Sequence, residues 1–166
     1  MAKTVRTKVG DIFSVKLDDG KKYFQYITND FTQLNSDVIR VFKTKYPINT
    51  EPDLFKIVAD EVEFYAHVVI KWGFKLDLWE KVGNIPFARE IEALFKDTND
   101  YGSKVDEEPI KISDKWYVWR VNEEFKRVGK LEGENRKAEI GVVISPHQIV
   151  KRMATGSYTF VYPGFE

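Results

Sequence analysis

Two histidines and 26 carboxylates supply the acid–base chemistry open to this chain, and no cysteine accompanies them. Without a thiol, cysteine nucleophiles, cysteine zinc sites and disulfides are excluded. His67 falls in a long alternating stretch, on one strand face with Glu63 and Tyr65. Four residues along a strand put the Glu63 and His67 Cα atoms about 13 Å apart, too far to share a metal unaided. His67 therefore reads as a half-exposed strand histidine rather than a ligand or general base. His147 falls in the first turn of a late helix, where the positive end of the helix dipole disfavours its protonation, and reads as a surface residue. The chain has no nucleophile elbow, phosphate-binding loop, H-E-x-x-H or EF-hand pattern. The carboxylates leave a glycosidase-like pair open, but that many acids is also what a solvated surface carries. Asp18-Asp19-Gly20 is a hairpin turn more readily than a calcium site. No metal or cofactor site emerges.

The elements that would position these groups are mostly strands. Phe13, Val15 and Leu17 alternate, Asp18-Asp19-Gly20 turns the chain with the positive φ that glycine tolerates, and residues 22–27 return. Residues 38–42 form a short strand, and 52–60 suit either a short strand or a helical turn. Val62, Phe64, Ala66, Val68, Ile70 and Trp72 share one side of a long strand, which places Trp72 in the core. Phe87, Ile91, Leu94 and Phe95 make a helical stripe after Pro86. Residues 116–121 are a strand with Trp116 and Trp119 on opposite faces, so that at least one is a candidate for exposure. Residues 125–131 follow, then a strand over 139–144. Ser145, Pro146 and Gln148 spell a capping box, and Gly156 ends the helix it starts. Residues 158–162 read as a last strand. This pattern predicts a β-rich α+β fold: a strongly curved antiparallel sheet or small barrel of about eight strands with two short helices.

Length and charge bound the rest. The 166 residues fit a single domain over 1–166, with a possible subdomain junction in the polar loop 99–110. Aromatics make up 14 % of the chain, which excludes a disordered chain. Charge is balanced at 26 basic and 26 acidic residues, with no polarised half. Direct nucleic-acid binding and polybasic membrane attachment are therefore not expected, while self-association is open. No apolar run approaches the roughly 20 residues of a membrane span. Residues 1–8 lead into Asp11 without the apolar core of a signal peptide. The expectation is a soluble, cytoplasmic protein.

Three blocks carry a resemblance. The first is Gly10-Asp11-Ile12-Phe13-Ser14-Val15-Lys16-Leu17 with Gly20. The second is Trp79-Glu80-Lys81-Val82-Gly83-Asn84-Ile85-Pro86. The third is Val128-Gly129-Lys130-Leu131, followed by Ile140, Ser145-Pro146 and Val150-Lys151-Arg152-Met153. In order and spacing they resemble the immunity protein 26 family of bacterial polymorphic toxin systems. Lys16 departs from the family pattern, where Pro is expected, and the segment between Leu34 and Phe64 has no close counterpart. The resemblance implies a small cytoplasmic protein that binds a cognate toxin and neutralises it, and it brings no catalytic residues.

Occlusion of the toxin without catalysis is thus one reading. A small β-barrel module binding another protein or ligand is a second, and an enzyme using carboxylates or His67 a third. For the first, Asp106, Glu107 and Glu108 are natural contacts for a basic toxin, and Tyr101 is a candidate anchor.

Overall fold

Alternating apolar residues on both sides of consecutive strands make a sheet that must be covered on both faces. The computed structural model describes residues 6–102 and 106–166; residues 1–5 of the N-terminal stretch and 103–105 of the polar loop lie outside the described residues. β1 (Asp11–Leu17), β2 (Gly20–Asp30), β3 (Ser36–Phe42) and β4 (Val62–Val68) form an antiparallel meander. β5 (Glu80–Asn84) joins antiparallel beside β1, and β10 (Val143–Ile144) joins parallel beside β4. The second sheet holds β6 (Leu94–Thr98), β7 (Trp116–Arg120), β8 (Lys126–Gly129) and β9 (Glu139–Ile140), in the order β8-β7-β6-β9.

Phe13, Val15, Phe24, Ile39, Val41, Phe64 and Ala66 bury one face of the first sheet. Against them pack Trp79 and Ile149 and Met153 of α3 (Pro146–Thr155). Ile12, Tyr23 and Phe42 bury the other face against Ile57 of α1 (Leu54–Val58). Further along, Ile27 and Val38 meet Phe95 and Trp119 of the second sheet. A fully buried side chain of this size contributes about 1.5–3 kcal/mol, so these layers hold the meander in register.

The β-rich α+β class stands, but the architecture differs from one barrel. Ten strands, three α-helices and a 3-10 helix (Gly133–Lys137) are present among the described residues. The sheets have six and four strands, and β10 and β5 remain edges, so no barrel closes. Two of the pairings, β10 with β4 and β6 with β9, are parallel.

The hairpin forms as expected, with Leu17 paired to Gly20. Gly20 does not take the positive φ expected of it. Its need is space, because a Cβ there would lie 2.7 Å from the Tyr46 carbonyl oxygen. The ambiguous 52–60 stretch forms α1, capped by the Asp53 side chain accepting from the Phe55 amide.

The long strand from Val62 stops at Val68, and α2 (Ile70–Lys75) follows. Ile70 stays buried, but two residues further is about 200° around a helix. Trp72 is therefore turned outward and is 54 % exposed, not core. The core tryptophan is Trp79, whose indole donates to the Ile70 carbonyl at 3.0 Å. Gly73 makes room for it, since a Cβ would fall 1.9 Å from the Trp79 ring.

The Phe87–Phe95 stripe is not a helix. Leu94 and Phe95 begin β6 instead, with Phe95 paired to Trp119 across the ladder. Phe87 and Ile91 still pack on this cluster from irregular backbone. Non-local pairing has overridden a local period. Residues 139–144 are not one strand: the chain leaves the second sheet after Ile140 and enters the first at Val143. Gly141 sits at this crossing against the Trp119 ring. Residues 158–162 form no strand; their aromatic rings pack instead on the body. Trp116 and Trp119 are both buried, because one core lies on each side of β7.

α3 follows its signals, with Ser145 Oγ accepting from the Gln148 amide, Pro146 in the first turn and Gly156 left-handed. The Gln148 side chain turns away from the cap and exchanges hydrogen bonds with Thr159, which ties down the C-terminal segment. The Gly73–Trp79 fit gives a direct test. Gly73→Ala should cost about 2–3 kcal/mol by overpacking, read as a lower midpoint in urea unfolding, whereas Ala at Gly102, where nothing lies within 4 Å, meets only its own positive φ.

Candidate functional site

At the end of β2 a carboxylate is buried completely. Asp30 has no exposed surface, and four donors converge on it. Oδ2 accepts from His67 Nε2 at 2.9 Å and from the Trp119 indole at 3.0 Å. Oδ1 accepts from the backbone amides of Asn122 at 3.1 Å and Gln33 at 3.2 Å. These donors come from β4, β7, the turn after β7 and the loop after β2, so one side chain joins both sheets and two loops. Burial pushes the Asp30 carboxyl up, but the hydrogen bonds outweigh it and hold its pKa below the usual value.

His67 is fully buried, not half-exposed. The second sheet covers the face of β4 that was expected to meet solvent, and the Phe95 ring lies 4.3 Å from the imidazole centroid. Burial lowers the His67 pKa, against the pull of the Asp30 hydrogen bond and charge. The neutral ring with Nε2–H donating to Asp30 follows. His67 Nδ1 then faces protein without a partner, as does Ser36 Oγ, opposite Asp30 on the neighbouring strand.

Ser36, His67 and Asp30 are the residue types of acyl transfer. Only the Asp30–His67 hydrogen bond is made, and the group is enclosed rather than set in a cleft. A general base must reach the proton it takes from substrate, and no such reach exists here. The arrangement works as a clasp. Sequence reasoning singled out His67 for the wrong environment and missed Asp30. Its one signal was an acid closing the return strand that carries Tyr23, Phe24, Tyr26 and Ile27.

The clasp also sets the surface above it. Phe31 follows Asp30, its amide donates to Asn122 Oδ1 at 2.7 Å, and its ring is 74 % exposed. Leu34 and Asn35 continue the loop with positive φ.

The residues expected to meet a partner lie elsewhere. Tyr101 is half-exposed, its ring 5.1 Å from that of Tyr162. Asp106, Glu107 and Glu108 are exposed, with Asp106 at positive φ, and none makes an ion pair among the described residues. The structure thus places Tyr101 in a C-terminal aromatic row and the three acids on open backbone beyond it. His147 is exposed, as expected. Between the sheets runs a cleft of about 520 Å³ whose walls include Glu63, Glu92, Glu134 and Glu139. Two of these are already neutralised, Glu63 by Lys22 and Glu139 by Arg152. Among the described residues no three His, Asp or Glu side chains gather as a metal site, and no helix is long and apolar enough to cross a membrane.

The clasp makes stability pH-dependent. His67 is held neutral below its ordinary value of 6.5, so its contribution is complete above that pH and is lost as pH falls toward the lowered pKa. The Asp30 contribution is lost only below its ordinary 3.8. Unfolding free energy measured against pH should therefore decline in two stages on acidification, and His67→Gln should remove the upper one. Asp30→Asn keeps one accepting oxygen but turns an NH2 group toward two of the four donors, at an expected cost of about 2–4 kcal/mol.

Comparison with known proteins adds a family. No curated protein and no solved structure matches the chain. The family model described as Immunity protein 26 matches residues 8–106. That span takes in β1 to β6, the Asp30–His67 clasp and Asp106, the first of the three acids. It also covers the segment between Leu34 and Phe64, whereas the block from Val128 to Met153 lies beyond it. With more than half its length matched in sequence order, the chain belongs to the immunity protein 26 family.

Proposed function

We propose that the protein binds a cognate toxin and neutralises it by covering the toxin's active site or a surface the toxin needs, without catalysis of its own. Membership of the immunity protein 26 family carries this reading. Two features of the chain support it. The one His–Asp pair among the described residues is sealed inside the fold, and the loops above and beside it are held open to solvent by buried hydrogen bonds. The protein acts in the cytoplasm as one unit over 1–166, its sheets joined through Asp30.

The contact surface in this reading is Tyr101 with Asp106, Glu107 and Glu108. Three consecutive exposed acids steer a basic toxin by their field, and a half-exposed ring beside the aromatic row offers an anchor.

Co-expression with the toxin candidate encoded by the neighbouring gene, in a sensitive host, tests the function. Growth should be rescued, and the two proteins should co-purify. No rescue with both proteins soluble removes that pair and favours a module for another ligand. Replacing Asp106, Glu107 and Glu108 with Ala should slow association about tenfold at low salt and flatten its salt dependence. Unchanged kinetics would place the interface elsewhere.

A further inference from the structure

Lys96, on β6, is only 9 % exposed. Its ammonium lies 4.7 Å from the centroid of the Phe165 ring and 5.4 Å from that of Trp116. No hydrogen bond or ion pair to it is made among the described residues, and burial lowers its pKa. Glu139 acts on it only through its field, and that carboxylate is engaged by Arg152 at 2.8 Å. Two aromatic faces recover only part of the hydration a lysine loses on burial. Packing alone would be met as well by an apolar side chain of the same length.

Lys96 lines a cleft of about 420 Å³ together with Arg152, Tyr158, Phe160, Tyr162 and Phe165. Most of the polar wall is already committed. Arg152 stacks on Phe64 and Tyr158 while holding Glu139. The Tyr162 hydroxyl donates to Asp97 at 2.9 Å. Lys96 and Arg152 against Glu139 leave one positive charge, and the uncommitted donors are those of Lys96. The rings of Phe160, Tyr162 and Phe165 are all half-exposed. We propose that this cleft binds a monoanionic carboxylate bearing an aromatic or other apolar group, with the carboxylate on Lys96 and the apolar part against these rings.

The charge count selects a single carboxylate over a phosphate dianion, which needs several converging donors. Apart from Lys96, every wall residue named lies after residue 106, beyond the family match. Tyr101 of the toxin-binding reading touches the Tyr162 ring of this wall, but the proposal does not rest on that reading, and titration with a small acid tests it without a toxin.

Titration of the full chain with 3-phenylpropionate and with 3-phenylpropionamide tests it. The readouts are the NMR signals of the Trp116 indole N–H and of the Gly141 amide, which donates to the Lys96 carbonyl. The acid is expected to bind at least about tenfold more tightly than the amide. Lys96→Met should abolish that preference and leave thermal stability unchanged or raised. Equal binding of acid and amide, or no shift with either at millimolar concentration, overturns the proposal. A Lys96→Met protein less stable than the parent also overturns it, because the ammonium would then be structural. A tripeptide ending in phenylalanine, with its terminus free or amidated, separates the sources. Tighter binding of the free-terminus peptide than of 3-phenylpropionate assigns the site to a polypeptide C-terminus; the reverse order assigns it to a small acid.

Discussion

A carboxylate without solvent needs every lone pair answered, and Asp30 has that answer from four directions. Desolvating an ion costs several kcal/mol unless hydrogen bonds replace the water. Two of the donors are buried side chains, on β4 and β7, and two are loop amides, so the cost is met only when both sheets and both loops are in place. That requirement couples the meander to the second sheet more specifically than apolar contact does. It also fixes Nε2 as the protonated nitrogen of the His67 ring, which burial keeps neutral, and it holds the turn at Asn122, which takes positive φ.

Around this clasp two of the four cores are fitted by pairing a glycine with a tryptophan. Trp79 lies on Gly73 and Trp119 on Gly141, at distances that leave no room for a Cβ. The second pair has an effect on topology. With the Trp119 ring occupying the crossing point, the chain can pass from β9 in one sheet to β10 in the other within a few residues, and the Gly141 amide is satisfied by the Lys96 carbonyl at 2.7 Å. The irregular C-terminal segment then covers the second sheet with rings rather than with a strand, and this cover walls the cleft at Lys96.

A protein that works by binding, as proposed, gains from this construction. Its buried polar groups spend their hydrogen bonds on holding loops, and the loops carry exposed side chains such as Phe31, which pre-organises a surface before a partner arrives. The family match spans Asp30, His67 and five of the six strands of the first sheet but ends before β7. The rest of the second sheet and the rings over residues 158–165 lie outside that match.

Much of the local structure was legible in the residues. The β1–β2 hairpin, the strand over 38–42, and the start and stop of α3 follow from alternation and capping, which act over a few neighbours. The β-rich class followed from the same alternation, and the family from three short blocks. The environments of the chemically interesting residues did not. His67 alternates like any half-exposed strand residue until a second sheet covers it. Trp72 belongs to the core period until the strand becomes a helix. Phe95 continues a helical stripe until Trp119 pairs with it. Asp30 takes partners 37, 89 and 92 residues away, and the ammonium of Lys96 is closed in by Phe165 at the far end of the chain. Sequence alone determined which segments alternate, where a helix is capped and which family the chain resembles, because those signals are short-range. Only the tertiary structure decided what is buried and by what it is faced, because burial depends on pairings between segments that no local window contains.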